Sequence, residues 1–205
     1  MMEGIVLRRI NYQESSFILS ILTKEGYKSL IVKGAKRKNS LKLGISEPLT
    51  LIDYISTRSL NMPSLIEGVV LDNYSSIKAD LNKVSIASIL LEYALILKET
   101  DMDPLFIYNL LIQSLDSIEK YDDSEKYLFR FELVLLNRLG VALDSEYLIS
   151  NYDADDNLLD SLVGLMDDRL TIDYKRLRDF FIIYFERELG ITLKSKRVYL
   201  GLIKE

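Results

Sequence analysis

A concentrated stretch of positive charge lies near the N-terminus of a chain that is acidic overall. The segment KGAKRKNS (33–40) holds the cationic side chains Lys33, Lys36, Arg37 and Lys38, and Lys42 follows closely. The whole chain has a formal net charge of −5 at pH 7. Lys and Arg neutralise phosphates and release bound counterions, which gives affinity for nucleic acid without reading its sequence. The loop is therefore either a phosphate-binding surface or a solvated segment that aids solubility.

The charge is divided unevenly between the two parts of the chain. Residues 1–80 carry 11 Lys and Arg against 8 Asp and Glu, whereas residues 81–205 carry 15 against 23. Such asymmetry favours a polyanion-binding N-terminal region joined to an acidic body.

A second cationic group lies near the other end of the chain. It comprises Lys194, Lys196 and Arg197, and the preceding predicted helix adds Lys175, Arg176 and Arg178. One interpretation is a second anion-binding surface. The other is ordinary charge complementation at a helix C-terminus.

The residue types that most enzymes need are missing. The chain has no histidine and no cysteine, which excludes a Ser/His/Asp triad, thiolate chemistry and an ordinary zinc site. The acidic run DADDNLLD (153–160) lacks the glycine and the closing glutamate of a calcium loop. No P-loop or dinucleotide fingerprint occurs. We therefore expect a protein that is not an enzyme and that holds no cofactor and no metal.

The elements that must position the basic loop are predicted to be short strands. Segments rich in Ile, Leu and Val, separated by polar or Gly-containing breaks, predict five of them: 3–10, 16–23, 27–34, 47–56 and 64–74. Five short strands with almost no helix favour a small closed barrel, because closure removes exposed edges. The basic loop then joins the third and fourth strands. The nearby aromatics Tyr12, Phe17, Tyr27 and Tyr54 either stack on bases or fill the barrel core.

Helical periodicity follows from Asp80 onward. It predicts six helices: 75–81, 83–98, 103–120, 124–139, 156–167 and 174–189. Gly140 and Gly190 mark two helix ends, and Asp173 is the predicted N-cap of the last helix. The acidic stretch 145–157 is weakly periodic and is interpreted as a linker or an irregular excursion. The result is an α+β multidomain fold, with a β-barrel domain at 1–79 and an α-helical bundle domain at 80–205.

No membrane segment is expected. The longest apolar-rich run, 84–97, is shorter than the roughly 20 residues that span a bilayer, and the N-terminus lacks the features of a secretory signal. These features favour a cytoplasmic protein with no membrane partner.

Three segments resemble one known family. The segment EGIVLRRINYQESSFILSILTKEGYKSLIVKGAKRKNS (3–40) is similar to the N-terminus of the RecO family of bacterial recombination and repair mediators. A GIVL strand, a Y-x-E turn, a T-x-E-G hairpin and a basic KGA segment occur there in the same order. FRFELVLLNRLGVALD (129–144) and LRDFFIIYFERELGITLKSKR (177–197) resemble the family's segments in which a helix ends in Leu-Gly.

The resemblance implies an OB-fold barrel followed by an α-helical domain. It also implies binding to single- and double-stranded DNA, annealing of complementary strands, and loading of RecA onto DNA coated with single-strand-binding protein. The implied partners are RecR, in some cases RecF, and the acidic, hydrophobic C-terminal tail of single-strand-binding protein. The protein is expected to be associated with the nucleoid. The phosphate-contacting roles fall on Lys33 and Arg37, with Lys36 and Lys38 beside them.

The tail is expected to dock in a basic-rimmed apolar groove of the helical domain. Lys194, Lys196 and Arg197 are one candidate for its rim. One departure from the family concerns zinc: many relatives carry a four-cysteine zinc module after the Leu-Gly segment, but residues 144–160 contain no cysteine. Zinc is therefore expected to be absent.

Two other functions remain open from the residues alone. The same barrel and charges suit an RNA-binding OB-fold protein in translation or RNA processing, since nothing in the loop distinguishes ribose from deoxyribose. The sequence also suits a protein-binding adaptor whose acidic helical domain binds the partner.

Overall fold

The N-terminal region of the protein is a single five-stranded sheet. The computed structural model describes residues 1–38, 40–59, 62–141, 143–167 and 170–202. Its strands are β1 (Met2–Tyr12), β2 (Ser16–Thr23), β3 (Gly26–Val32), β4 (Leu51–Ser56) and β5 (Leu65–Asp72). They pair antiparallel in the order β3-β2-β1-β4-β5.

A parallel contact between the two edge strands closes the sheet. Ile31 of β3 forms a bridge with Ser64, and the Ile31 N–H donates to the Pro63 carbonyl at 2.9 Å, immediately before β5 begins. Closure of the sheet gives the strand neighbours of an OB-fold barrel. The interior holds a cluster of buried apolar side chains that includes Val6, Ile21 and Tyr54. The predicted barrel is confirmed.

Strand β1 is buried on both faces. Val6 belongs to the barrel interior, whereas Ile5 and Leu7 belong to the larger core shared with the helices. Regular alternation accounts for these three residues. A β-bulge follows at Leu7: Val6 pairs with Ile21 and Arg8 with Ser20, so Leu7 has no partner in the ladder. The outer face of the barrel therefore packs directly against helices.

The rest of the described chain is helical. The helices are α1 (Lys42–Ile45), α2 (Ser75–Ala79), α3 (Leu81–Leu97), α4 (Pro104–Lys120), α5 (Ser124–Arg138), α6 (Ser145–Tyr152), α7 (Asp156–Gly164), α8 (Tyr174–Leu189) and α9 (Lys194–Leu202). Six of them begin after an aspartate whose carboxylate accepts a backbone N–H of the first turn. The predicted N-cap Asp173 is one of these.

Helix α3 lies at the centre of the helical region. Eight of its twelve residues from Ile86 to Leu97 are buried, including Tyr93, so most of its surface is covered by other parts of the protein. Two tyrosine hydroxyls join it and α4 to the barrel: Tyr27 donates to the Ala94 carbonyl at 2.7 Å, and Tyr108 donates to Glu3 Oε1 at 2.7 Å. The Tyr108 hydroxyl, with Lys24, lowers the pKa of Glu3. Within the described residues, we find no helix with the length and apolar content to span a bilayer.

Several predicted boundaries are wrong. The stretch 145–157 is not a linker throughout: α6 begins after Asp144 and buries only Leu148, which explains its weak periodicity. Helices α1 and α9 were not predicted. The third strand ends at Val32 and the fourth begins at Leu51, so Lys33 and Gly34 lie in a turn. The domain division at 79/80 stays a prediction.

Candidate nucleic-acid interface

The basic loop is fixed to the turn between β1 and β2. The Lys36 N–H donates to the Ser15 carbonyl at 3.1 Å, and Lys36 Nζ donates to the Gln13 carbonyl at 3.1 Å. Gly34 has φ +71, a conformation that favours glycine, and its carbonyl accepts the Arg37 N–H at 3.2 Å. Ala35 is fully buried and anchors the loop in the barrel core. The loop is therefore a built feature of the barrel surface.

The cationic side chains of this loop are exposed or partly exposed and form no ion pair with an acid among the described residues. Lys33, Arg37 and Lys38 are exposed, and Lys36 and Lys42 are partly exposed. Among the residues that the structure describes, no carboxylate lies within 4.0 Å of their charged groups. The structure thus brings Lys33, Lys36, Arg37 and Lys38 together on one loop, and Lys42 begins the short helix α1 that follows.

A further arginine joins this surface from β1. Arg9 Cζ lies 4.6 Å from the centre of the Phe17 ring, and Lys36 Nζ lies 5.2 Å from the same centre. Arg9 is not among the residues that the sequence suggested for this surface. Simple alternation from the buried Val6 places Arg8 on that face, and only the bulge at Leu7 exchanges the two arginines.

The aromatics near the loop are mostly structural. Phe17 is 6% exposed and Tyr54 is 1% exposed, so both fill the barrel core. The Tyr27 hydroxyl is engaged with Ala94. The core interpretation is therefore confirmed for Phe17 and Tyr54.

The second cationic group does not form the predicted surface. Lys196 is only 6% exposed, and its Nζ lies 2.6 Å from Oε1 of the fully buried Glu132. The same carboxylate oxygen accepts the Tyr93 hydroxyl at 2.6 Å. The prediction of Lys196 as a surface or rim cation is wrong, because residues 194–202 form α9 and Lys196 lies on its buried face with Tyr199.

The start of α9 is held by an acid from α3. Glu92 accepts the backbone N–H groups of Lys194 at 3.0 Å and Ser195 at 2.8 Å. Burial acts to raise the pKa of Glu92, but these hydrogen bonds and that of the Ser195 hydroxyl outweigh it, so the pKa is lowered. Lys194 thus begins a helix, and Lys194 and Arg197 remain exposed.

The arginines of α8 are engaged by acids. Arg176 Nη2 lies 3.6 Å from Asp155 Oδ2, and Arg178 Nη2 lies 2.6 Å from Glu125 Oε1. Only Lys175 of this trio is exposed. The exposed cations of the C-terminal region are therefore Lys175, Lys194 and Arg197 among the six residues that the sequence suggested.

A small cavity lies between the C-terminal part of α8 and helix α9. Its volume is about 80 Å³, and its apolar walls include Phe185, Ile191 and Leu200. Lys196 and Arg197 also line it. Glu186 lines it too, and the basic-rimmed groove expected in the helical domain stays a prediction.

Comparison with known families decides what kind of protein carries these features. Residues 1–74 match the model described as "Recombination protein O N terminal", and residues 78–164 match "Recombination protein O C terminal". The chain belongs to the RecO family. The resemblance in the sequence is confirmed.

Curated relatives carry the same family name. The DNA repair protein RecO of Exiguobacterium sibiricum is 32% identical over 141 residues, which is 68% of this chain and 57% of that protein. The one from Bacillus pumilus is 29% identical over 140 residues, 68% of this chain and 55% of that protein. The one from Clostridium perfringens is 30% identical over 142 residues, 68% and 58%. The chain thus spans little more than half the length of these RecO relatives.

Proposed function

We propose that this chain acts in DNA repair as a recombination mediator. It binds single- and double-stranded DNA through the barrel loop, anneals complementary strands, and helps load RecA onto DNA coated with single-strand-binding protein. Its partners in loading are RecR and in some cases RecF. The observation that carries the proposal is the cluster of Lys33, Lys36, Arg37 and Lys38 on one loop of an OB-fold barrel, with no carboxylate within 4.0 Å in the described chain.

Unpaired cations held close together repel one another, and a polyanion relieves that repulsion. The chain as a whole is negative, at −5, so a local positive loop also directs nucleic acid to one place on its surface. OB-fold barrels bind single strands along such basic surfaces.

Annealing needs no catalytic residue in this mechanism. Two DNA strands repel because each is densely charged, and a protein that neutralises part of that charge raises their local concentration. Base pairing then supplies the free energy. The barrel loop is the first cationic face, and the exposed Lys194 and Arg197 are the proposed second face.

The cavity between α8 and α9 is the proposed dock for the tail of single-strand-binding protein. The apolar end of that tail enters between Phe185 and Leu200, and its carboxylates meet Arg197. Buried Lys196 contributes positive potential from below, although its ammonium is held by Glu132.

Strand annealing with and without single-strand-binding protein tests the proposal. If about four phosphates are contacted, log K against log salt has a slope near −3 for single strands, at roughly 0.7 per contact. Lys33→Ala with Arg37→Ala should weaken binding to all DNA sequences about equally. Lys175→Ala, which removes an exposed lysine of α8, is the control and should leave binding unchanged.

Three outcomes would contradict the proposal. A flat salt response removes the phosphate-binding role. Stronger competition by an RNA oligonucleotide of the same sequence supports an RNA-binding protein instead. Absence of binding to any nucleic acid, with a retained protein partner, supports an adaptor.

A further inference from the structure

Two consecutive arginines of β1 lie on opposite faces of the strand. Arg8 pairs with Ser20 and Arg9 pairs with Leu19 in the β1–β2 ladder. Residues directly opposite in an antiparallel pair share a face. Leu19 and Phe17 belong to the buried cluster inside the barrel. Arg9 is therefore on the face that carries Phe17, and Arg8 is on the other.

The β-bulge is the cause of this placement. Val6 is buried in the barrel, and regular alternation from Val6 reaches Arg8 two residues later. Because Leu7 is unpaired, the alternation shifts by one residue and reaches Arg9 instead. A single irregularity in the ladder thus brings a guanidinium next to the basic loop.

Arg9 shares the Phe17 ring with a cation of that loop. The guanidinium carbon lies 4.6 Å from the ring centre, and Lys36 Nζ lies 5.2 Å from it. Phe17 itself is buried, so the ring is a fixed platform that holds the guanidinium in place. The planar fork of a guanidinium held in this way is preorganised for phosphate oxygens.

The charge on Arg9 is not compensated within the protein. In the described part of the chain, no carboxylate lies within 4.0 Å of it, and its buried Nη1 has no hydrogen-bond acceptor. The residue as a whole is partly exposed. Two cations beside one ring, both without an acid, leave an anion from solution as the natural counter-charge.

We propose that Arg9, positioned by Phe17, is a phosphate contact that extends the binding surface of the basic loop onto β1. The ligand is a backbone phosphate of single-stranded DNA. This inference rests on the proposed DNA-binding function. The competing structural role is that Arg9 only covers the Phe17 ring and contacts no ligand.

The neighbouring Arg8 offers a matched control. It is exposed on the opposite face of the same strand, where it lines a cleft with Leu91 and Glu92 of α3. Arg8→Met and Arg9→Met remove the same charge from adjacent positions and keep most of the apolar stem. The methionine at position 9 can still cover Phe17, which separates loss of charge from loss of packing.

The experiment measures binding of the full chain to a labelled short oligothymidylate over a range of salt concentrations. Arg9→Met should reduce the magnitude of the log K against log salt slope by about 0.7, the value for one phosphate on a single strand. Arg9→Lys, which keeps the charge, should preserve the slope and lose only part of the affinity. Arg8→Met should leave the slope unchanged.

The outcomes distinguish this inference from the proposed function. If the unaltered chain shows a salt slope and Arg9→Met shows the same slope, Arg9 has a structural role only and the inference is overturned. An equal fall in slope for Arg8→Met overturns it too, because the effect is then one of net charge. A flat response of the unaltered chain removes the proposed function itself. Should Arg9→Met fail to fold, Arg9→Gln is measured against Arg8→Gln by the same criterion.

Discussion

The two basic clusters of this protein have similar composition and opposite structural roles. The barrel loop contains Lys33, Lys36, Arg37 and Lys38, all exposed or partly exposed, with no acid within 4.0 Å among the described residues. In the C-terminal cluster of Lys194, Lys196 and Arg197, the middle lysine is buried against Glu132. A high density of basic residues therefore does not by itself identify a surface that binds anions.

Local backbone structure accounts for the difference. The loop is a turn after β3 in which only Ala35 enters the core, so its long side chains extend outward. The C-terminal cluster lies on α9, where one face must pack on the protein, and Lys196 falls on that face with Tyr199. A lysine in that position needs a buried carboxylate, and α5 supplies Glu132.

The largest expected effect is a difference in stability between a substitution in the C-terminal cluster and one in the barrel loop. Lys196→Met should lower the free energy of unfolding by about 3–5 kcal/mol, because it leaves Glu132 as an uncompensated buried charge. Lys38→Met, in the exposed loop, should change it by less than about 0.5 kcal/mol. Urea denaturation followed by circular dichroism measures both.

The double variant Lys196→Met with Glu132→Leu provides the control. Replacing both members of the pair removes the orphaned charge and should restore much of the lost stability. If Lys196→Met alone lowers the free energy of unfolding by less than about 1 kcal/mol, Lys196 contributes no more than an exposed lysine does. The proposed difference between the two clusters would then be wrong.

The second prediction compares the clusters in DNA binding. Lys33→Ala with Arg37→Ala should reduce the salt slope for single-stranded DNA by about 1.4, which corresponds to two phosphate contacts. Lys194→Ala with Arg197→Ala removes the same number of charges and should reduce it by less, because this pair is only the second face. Fluorescence anisotropy over a salt series gives both slopes. An equal reduction for the two pairs would show that the barrel loop is not the main DNA-binding face.

The sequence was sufficient to predict the barrel and the basic loop. Strands rich in Ile, Leu and Val and the change to helical period from Asp80 onward depend on local sequence, and both are found in the structure. The sequence placed Lys33 at the end of the third predicted strand, whereas the structure places it, like Arg37, in the turn that follows β3.

Features that depend on tertiary contacts were missed. The role of Lys196 is decided by Glu132, 64 residues away in sequence, and α6 buries a single residue, Leu148, so its period is faint. The position of Arg9 depends on a bulge at Leu7 in the β1–β2 ladder. No pattern within β1 indicates where the extra residue lies.

A smaller effect is expected where Glu92 holds the start of α9. Glu92→Gln should lower stability at pH 7 by about 1 kcal/mol or less, because it removes a negative charge from a helix N-terminus. The pKa of Glu92 is lowered in the folded protein, so its contribution is present above its unfolded pKa of about 4.3 and is lost as the pH falls through the folded pKa. The unaltered protein should therefore lose more stability between pH 7 and pH 3 than Glu92→Gln does. Parallel pH profiles for the two would show that Glu92 holds α9 without using its charge.

The smallest effect on stability is expected for Arg197, the exposed cation at the edge of the cavity between α8 and α9. Arg197→Ala should change the free energy of unfolding by less than about 0.5 kcal/mol, because the residue is exposed and has no acid within 4.0 Å in the described chain. It should nevertheless weaken binding of a synthetic peptide with the acidic, apolar-ended tail of single-strand-binding protein, measured by calorimetry, and the loss should diminish at high salt. Lys175→Ala removes an equally exposed charge from α8 and should leave peptide binding unchanged. If both substitutions weaken binding equally, the peptide responds to overall charge, and the C-terminal cluster differs from the barrel loop only in its buried lysine.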